Sequence, residues 1–392
     1  MPTKRTYLDH NATCPLRPMA RAAVAEAISF VGNASSVHAE GRVARARVEA
    51  GREQVAALFG ADPRNVIFTS GATEANAQAL FPHIEIAGRP VQFDALLVSA
   101  VEHPSVRAGG RFPAEAIGTI AVDGNGIVDL AVLDAVLARH SAAGSRPLVS
   151  VMAANNETGA IQPVGEIARH VHEAGGTLHC DAVQIAGRVP FDLVASGADL
   201  ISISSHKLGG PQGAGALVVA NEGLRIPPLI RGGGQERGAR AGTENVAAVA
   251  GFGAAAQEAR LALVSEAPRL AALRDLAEAG IKAVAGDAIV FSSGTARLPN
   301  TLCFAVPGIA AETAIIAFDL EGVALSSGAA CSSGKVGPSD TLKAMRVDPE
   351  AAKGAIRVSI GWDTNEDDIS RFLEVWKRVY LNLSRRTRER AA

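Results

Sequence analysis

Short apolar runs alternate with segments of helical periodicity from about residue 64 to residue 220. The runs are rich in Val, Ile and Leu, as buried strands are, and helix-length segments such as residues 129–139 and 165–173 separate several of them. This order predicts an α/β fold with a mainly parallel central sheet whose faces are covered by helices. The predicted strands are residues 65–69, 96–99, 147–152, 177–180, 200–203 and 216–219.

The chain on either side of this region has a different pattern. Upstream, the pattern predicts one helix that begins near Pro18 and a long one over residues 38–59 that ends at Gly60. Beyond about residue 260, helices and short strands mix in the manner of a smaller α+β domain. The predicted elements of that part are helices at 268–285, 310–320 and 365–383 and strands at 301–305 and 355–359. We therefore expect an N-terminal segment (1–15) that packs with the small domain, a large domain (16–260) and a small C-terminal domain (261–392).

Composition narrows the class of protein. The net charge of -2 and an aromatic content of 4% give no reason to expect a nucleic-acid binder. No apolar stretch reaches the roughly 18 residues of a membrane span, and the first residues contain no apolar signal core, so we expect a cytoplasmic protein without a membrane partner. The four cysteines form no Cys-x-x-Cys pair, and His170 and His172 point apart on a predicted helix, so we expect no disulfide framework and no metal site.

A lysine stands where the strand at residues 200–203 gives way to glycines. Lys207 follows Ser204, Ser205 and His206, and the glycines after it allow a ligand to approach the backbone. This setting suits a Schiff-base site for an anionic aldehyde cofactor. Taken alone, it is equally typical of a lysine on a solvated turn, so other segments must decide.

Two further turns favour the cofactor. Residues 70–76 open a helix with small residues, and the free N–H groups there, with the hydroxyl of Thr73, suit a phosphate, although a simple helix cap is the alternative. Asp181 follows an apolar run, and a buried carboxylate needs a cationic partner such as a protonated pyridine nitrogen. A cap on the next helix is the alternative reading of Asp181.

Three more residues are candidates for chemistry. Asn155 follows the strand at 147–152 and suits a ring hydroxyl or a substrate carboxylate, while His103 follows the strand at 96–99, where it could stack on a cofactor and move protons. Cys331 lies among glycines and serines in residues 326–338, which we expect to form an exposed, mobile loop with a nucleophilic thiol. By contrast, the patterns place Cys180 and Cys303 in the core.

Assembled in order, these residues give the chain a family resemblance. It resembles the cysteine desulfurases of the class V aminotransferase family, of the housekeeping and nitrogen-fixation type. Ten motifs, in the order in which the family has them and nearly from end to end, carry the resemblance: residues 7–13, 32–38, 70–76, 102–104, 155–162, 179–184, 205–207, 240–245, 326–333 and 356–359.

The resemblance implies a homodimer of fold type I in which Lys207 binds pyridoxal 5'-phosphate. It implies that His103 stacks on the cofactor ring, that Asp181 pairs with the ring nitrogen and that Gln184 contacts the phenolic oxygen. The implied phosphate contacts are Ala72, Thr73, Ser204, His206 and, from the other subunit, Thr243. Asn155 is implied on both cofactor and substrate, and the other implied substrate contacts are Asn33 and Arg357, where a planar guanidinium fits a carboxylate.

The resemblance also implies a reaction. L-cysteine would displace Lys207, whose freed amine would move the α-proton, and Cys331 would attack the substrate sulfur to leave alanine and an enzyme persulfide. The loop would then carry the persulfide to an acceptor protein such as an iron–sulfur scaffold. The sequence departs from the family pattern at His10, Cys14 and Gln212, none of which has an assigned catalytic role.

Two alternatives stay open at this point. One is another class V pyridoxal-phosphate enzyme, either a transaminase or a selenocysteine lyase. The other belongs to a different class, a non-catalytic sulfur-transfer scaffold that keeps the fold without the cofactor.

Overall fold

The computed structural model describes residues 5–328 and 339–391, with side chains as far as residue 385. Its strands, in chain order, are β1 (Thr6–Tyr7), β2 (Val66–Thr69), β3 (His83–Ile86), β4 (Arg89–Gln92), β5 (Ala95–Ser99), β6 (Ile117–Ile120), β7 (Pro147–Ser150), β8 (Thr177–Asp181), β9 (Leu200–Ser204), β10 (Gly215–Val219), β11 (Leu224–Arg225), β12 (Ile289–Val290), β13 (Thr301–Ala305), β14 (Val323–Ala324), β15 (Ser326–Ser327) and β16 (Ile356–Ser359). The α-helices are α1 (Pro18–Ile28), α2 (Ala39–Leu58), α3 (Ala72–Ala79), α4 (Pro104–Arg107), α5 (Leu130–Ala142), α6 (Val164–Glu173), α7 (Leu193–Ser196), α8 (Val246–Val284), α9 (Ala311–Leu320), α10 (Asp340–Ala344), α11 (Pro349–Lys353) and α12 (Glu366–Ala391).

The central sheet has seven strands in the order β2-β10-β9-β8-β7-β5-β6. Neighbouring strands run parallel from β9 to β6, whereas β10 is antiparallel to both β9 and β2. Strands β5, β7, β8, β9 and β10 are buried at every position, because helices cover both faces and leave no solvated side for polar residues. The predicted α/β fold with a mainly parallel sheet is therefore confirmed.

Helix α8 lies against the large sheet region at one end and against the C-terminal region at the other. Its first part packs on α1 and α2, and it also contacts α12. The crossing with α2 is close, because a Cβ atom at Gly253 would come within 2.4 Å of the Cα atom of Gly51. Pro268 lies inside this helix rather than at the start of a new one, so the expected boundary at residues 260/261 falls within a continuous helix.

The C-terminal region contains a second sheet, of order β12-β13-β16-β15, and its own apolar core. Phe304 and Phe318 contact the ring of Trp376, which is fully buried on α12. The N-terminal segment joins this region, since β1 pairs in parallel with β14 and Leu8 is part of the same core. The two ends of the chain thereby meet beside the edge of the large sheet.

Candidate active site

A cavity of about 540 Å³ opens where the parallel strands of the large sheet end. Ligand sites in open α/β sheets collect at this edge, because the loops that follow the strands converge there. The cavity is closed by the start of α3, by the N-terminal segment and by β16. Residues that line it and are discussed below are Asn11, Gly71, Ala72, Thr73, Asn76, His103, Ser105, Asn156, Asp181, Gln184, Ser204, His206, Lys207, Gln212 and Arg357.

Lys207 ends a short 3-10 turn that follows β9, and its side chain reaches the cavity. Its Nζ donates hydrogen bonds to the backbone carbonyl oxygens of Asn11 at 2.6 Å and Ala12 at 2.8 Å. The N-terminal segment therefore holds the lysine amine in place. Both acceptors are neutral backbone carbonyls, so these two contacts position the amine by hydrogen bonding.

The turn between β2 and α3 forms one corner of the cavity. The first N–H groups of α3 have no acceptor within the helix, and they follow Gly71, where an added Cβ atom would meet no protein atom within 4 Å. Ser204 is buried at the end of β9. His206 contacts Thr13 through Nδ1, at 3.2 Å from Oγ1. Burial, together with the charge of Lys207, lowers the pKa of His206 to about 4, so this ring is neutral near pH 7.

Asp181 is the last residue of β8 and is buried at the bottom of the cavity. Its Oδ1 accepts a hydrogen bond from the backbone N–H of Val183 at 3.0 Å, and its Oδ2 accepts one from Nδ2 of Asn76 at 3.0 Å. Within the described residues, no Lys or Arg forms an ion pair with this carboxylate. A ligand group that carries a proton on a ring nitrogen would satisfy it.

His103 lies directly before α4 and lines the same cavity. Its Nδ1 lies 2.8 Å from Oγ of Ser105 and accepts a hydrogen bond from the backbone N–H of Ser105 at 3.1 Å. Burial lowers the pKa of His103, the carboxylate of Asp181 opposes that shift, and Lys207 adds to it. The ring is therefore neutral at physiological pH and able to exchange a proton.

Arg357 on β16 forms the opposite wall, and its side chain is 1% exposed. Its NH2 group donates to Oδ1 of Asp9 at 2.7 Å, and its NH1 group donates to the backbone carbonyl of Asn156 at 3.0 Å. The amide of Asn11 donates to the same carbonyl at 3.2 Å. Within the described residues, Nε of Arg357 is buried and has no hydrogen-bond partner. A cation held in this way at a cavity wall suits a carboxylate ligand.

The cavity is lined by Asn156, whereas the sequence had indicated Asn155. The amide of Asn155 is used inside its own loop: Oδ1 accepts from the backbone N–H groups of Glu157 and Thr158, both at 2.9 Å, and Nδ2 donates to the carbonyl of Val101 at 3.2 Å. Both asparagines follow the same strand, and Asn156 contributes its backbone carbonyl to the wall that holds Arg357. The cofactor and substrate contacts of Asn155 stay a prediction.

Gln184 lines the cavity on the turn after β8 and connects it to a buried arginine. Its Nε2 donates to the carbonyl of Asn11 at 3.2 Å, and its Oε1 accepts from Arg188. Burial lowers the pKa of Arg188 to about 10, an effect that the nearby Cys14 opposes. Burial also raises the pKa of Cys14 to about 12, so its thiol is protonated and unreactive at neutral pH.

Besides Asn155, two residues named in the sequence analysis do not join this cluster. Thr243 is exposed on the segment before α8, and Asn33 is exposed on the turn before α2, where its Oδ1 accepts from the backbone N–H of Ser35 at 2.8 Å; neither lines the cavity. Cys331 lies outside the described residues. Cys180 and Cys303 are fully buried, in agreement with the pattern of their strands. Of the departures, Gln212 lines the cavity, and His10 contacts Asp363 instead.

Sequence reasoning missed four residues that complete the site: Asn11, Asn76, Ser105 and Asn156. Asn76 and Asn156 lay inside motifs already singled out, one turn beyond Thr73 and directly after Asn155. The sequence could have indicated both, because each places an amide side chain where the local pattern calls for an apolar residue or tolerates any residue. Asn11 lies in the motif at residues 7–13, and Ser105 lies two residues after His103. Their distant partners, Asn156 and Asn76, are 145 and 29 residues away and could not be read from the local sequence.

The residues present fit pyridoxal phosphate. A lysine amine, a turn of free N–H groups at a helix start and a buried carboxylate are the donors and acceptors that its aldehyde, phosphate and ring nitrogen need. The glycine at the helix start leaves the corner open where the phosphate would lie. Within the described residues, no group of His, Cys, Asp and Glu side chains is arranged to hold a metal ion. In the same part of the chain, none of the helices combines the length and apolarity that a membrane span requires.

Comparison with known proteins agrees with this geometry. The model of the class V aminotransferase family matches residues 6–372. The chain is 41% identical to a cysteine desulfurase of Gluconacetobacter diazotrophicus, over 96% of this chain and 94% of the relative. Among solved structures, a NifS-like protein from Rickettsia africae is 34% identical with a TM-score of 0.86, covering 96% of this chain and 99% of that one. A structure of SspA in complex with cysteine is 25% identical with a TM-score of 0.73, covering 91% of this chain and 98% of that one. The chain belongs to the class V aminotransferase family and, within it, to the cysteine desulfurases, which depend on pyridoxal phosphate.

Proposed function

We propose that the chain converts L-cysteine to L-alanine and takes up the sulfur as a persulfide on Cys331. The observation that carries this proposal is a single cavity with an amine at one end, Lys207, and a buried guanidinium at the other, Arg357. An α-amino acid carries both an amine, which can take the place of the Lys207 amine, and a carboxylate, which a guanidinium binds. Pyridoxal phosphate, when bound, supplies the electron sink for bond breaking next to the α-carbon.

The chain's own residues divide the remaining work. Arg357 and Asn156 bind the substrate carboxylate, and Asp181 holds the proton of the ring nitrogen. Lys207 moves the proton at the α-carbon, and His103 exchanges a proton through Nε2. The thiolate of Cys331 forms a bond to the substrate sulfur while the bond from that sulfur to the β-carbon breaks. One cysteine and one enzyme thiol thus give one alanine and one enzyme persulfide, with no external oxidant or reductant.

The decisive experiment measures alanine and the persulfide separately. We expect the purified holoprotein to form alanine from L-cysteine and to carry an added sulfur on Cys331 by mass spectrometry. Cys331→Ala should abolish both while keeping the cofactor absorbance, and Cys14→Ala is the matched control that should keep both. Unchanged desulfuration in Cys331→Ala would contradict the sulfur-transfer step. Protein that neither shows nor regains cofactor absorbance would instead favour the non-catalytic scaffold.

The proposal extends to partners. A homodimer is supported by the exposure of Thr243, which lies away from the cavity of its own chain and is therefore available to a second one. A cytoplasmic location is supported by Cys14, Cys180 and Cys303, which are free thiols as a reducing compartment keeps them. The sulfur acceptor that we propose is an iron–sulfur scaffold protein. Labelled persulfide, chased with candidate acceptors, should move to such a scaffold and not to an unrelated thiol protein.

A further inference from the structure

A chain of hydrogen bonds connects the carboxylate of Asp181 to the ring of His103. Nδ2 of Asn76 lies 3.0 Å from Oδ2 of Asp181 and 2.9 Å from Oγ of Ser105. The hydroxyl of Ser105 lies in turn 2.8 Å from Nδ1 of His103. All four residues line the cavity, and Asn76 and Asp181, which are 1% and 5% exposed, form the buried end of this chain of hydrogen bonds.

The carboxylate of Asp181 determines which group donates and which accepts in each of these hydrogen bonds. A carboxylate only accepts, so the amide of Asn76 must turn its NH2 group toward Asp181, and a flipped amide would place oxygen against oxygen. The second hydrogen of that NH2 group then goes to Ser105, whose hydroxyl oxygen accepts it. The hydroxyl hydrogen is consequently free to be donated onward, and Nδ1 of His103 is the atom that receives it.

Nδ1 of His103 has a second donor. The backbone N–H of Ser105 also points at it, at 3.1 Å, and a backbone amide cannot reverse its role. Two donors that face one ring nitrogen require this nitrogen to be unprotonated. In a neutral imidazole the proton must then lie on the other nitrogen, Nε2. Within the described residues, Nε2 makes no hydrogen bond of its own.

We infer that Asn76 and Ser105 are positioning residues that fix the proton of His103 on Nε2, so that this ring meets the substrate as a hydrogen-bond donor and proton source. The inference deepens the proposed function, on which the acid role of His103 rests. The tautomer itself follows from the chain of donors and holds whether or not the protein desulfurates cysteine.

The surroundings of the ring agree with this assignment. A second proton would have to lie on Nδ1, where it would face two donors, so the double protonation of His103 is disfavoured. Three charged side chains act on the ring: Asp181 favours its protonation, whereas Lys207 and Arg107 oppose it. Arg107 is itself held by Asp340 at 2.6 Å, which reduces its influence.

The test uses the holoprotein with ¹⁵N-labelled histidine. Nitrogen shifts report which ring nitrogen carries the proton, and the signal missing from His103→Gln assigns the residue. We expect the Nε2–H tautomer in the wild type; a Nδ1–H tautomer would overturn the inference. In Ser105→Ala, which removes one donor to Nδ1, the pKa of His103 should rise by about half to one pH unit, the size of one lost hydrogen bond.

One further variant separates positioning from a merely structural effect. Ser105→Thr retains the hydroxyl, so the pKa of His103 should return toward the wild-type value in the same titration. An equal rise in Ser105→Thr and Ser105→Ala, or no rise in either, would contradict the role of the hydroxyl. Failure of the proposed function is distinguishable, because it would abolish alanine formation while the tautomer of His103 stays the same.

Discussion

The two walls of the cavity are built in different ways. On the sheet wall, His103, Asp181 and Ser204 each follow or end a strand of the large sheet, and backbone N–H groups two residues along the chain donate to His103 and Asp181. On the opposite wall, Arg357 is held by Asp9, 348 residues away in sequence, and by the carbonyl of Asn156, 201 residues away. The sheet wall is formed by residues at the ends of neighbouring strands, whereas the opposite wall depends on contacts between distant parts of the chain.

This difference has a functional consequence. A group on the sheet wall is fixed once the large sheet has formed. Arg357 is fixed only when the N-terminal segment, the loop after β7 and the second sheet are all in place. Changes on the sheet wall should therefore affect the chemical step, whereas changes on the opposite wall should affect substrate binding and stability. Four predictions test this comparison, in decreasing order of effect size.

The first prediction concerns Asp181→Asn, which keeps the shape of the side chain and removes its charge. We expect kcat/KM for alanine formation to fall by at least about a hundredfold, the cost of removing a positioned electrostatic group. Asp199→Asn is the matched control: Asp199 lies at the other end of the sheet and accepts from the backbone N–H of Leu178 at 2.8 Å. Similar kinetics in the two variants would contradict the special role of the sheet wall.

The second prediction concerns Arg357→Lys on the opposite wall. A lysine ammonium cannot reach both Asp9 and the carbonyl of Asn156 with the fork that a guanidinium provides. We expect the KM for L-cysteine to rise by about tenfold or more with a smaller change in kcat. Arg378→Lys, on an exposed pair with Glu321, serves as the control and should leave both constants unchanged. A fall confined to kcat would show that the two walls do not divide the work as described.

The sheet wall could be predicted from the sequence better than the opposite wall. The strand ends that carry Asp181, His103 and Lys207 were predictable, because the apolar runs show where each strand ends and the polar residues that follow are candidates for the site. The opposite wall was reached only through the family resemblance, since nothing near Arg357 in sequence indicates Asp9. Which of Asn155 and Asn156 lines the cavity depended on the course of one turn, which residue type does not reveal. The single helix α8 was also missed, because Pro268 is tolerated inside it.

The third prediction uses Glu157, which is buried behind Arg357 and accepts a hydrogen bond from Ser339. Burial raises its pKa to about 7, although Ser339 and Arg357 oppose the shift. The folded protein thus retains a proton that the unfolded chain releases above its ordinary value of 4.5, so stability falls as the pH rises between these values. Glu157→Gln should remove up to about 1.4 kcal/mol of this loss per pH unit.

The measurement is the midpoint of thermal unfolding across that pH range. The unfolding midpoints of the wild type and Glu157→Gln should differ least at the acidic end of the range and most at the alkaline end, where the variant should be the more stable protein. Glu102 is the matched comparison: it is buried behind the sheet wall, and burial raises its pKa to about 8. The loss of stability that its ionisation causes should therefore continue to a higher pH. Parallel pH curves for the wild type and Glu157→Gln would contradict the prediction.

The fourth and smallest effect is expected from Ser326→Ala. The hydroxyl of Ser326 donates to Oδ2 of Asp9 at 2.8 Å and so supports the acid that orients Arg357. We expect a loss of about 1 kcal/mol in the free energy of unfolding and a rise of a few-fold in the KM for L-cysteine. The control is Ser265→Ala, an exposed serine of α8 whose hydroxyl donates to the carbonyl of Ala262. Equal changes in both variants would mean that Asp9 needs no such support.

The contacts of Lys207 with the carbonyls of Asn11 and Ala12 have a practical consequence for the handling of the protein. The segment that supplies these acceptors also forms the edge strand beside β14, so trimming or tagging it would disturb two distant regions together. Preparations with ragged N-termini should accordingly be yellow to different degrees, because the segment that holds the amine of Lys207 differs among them.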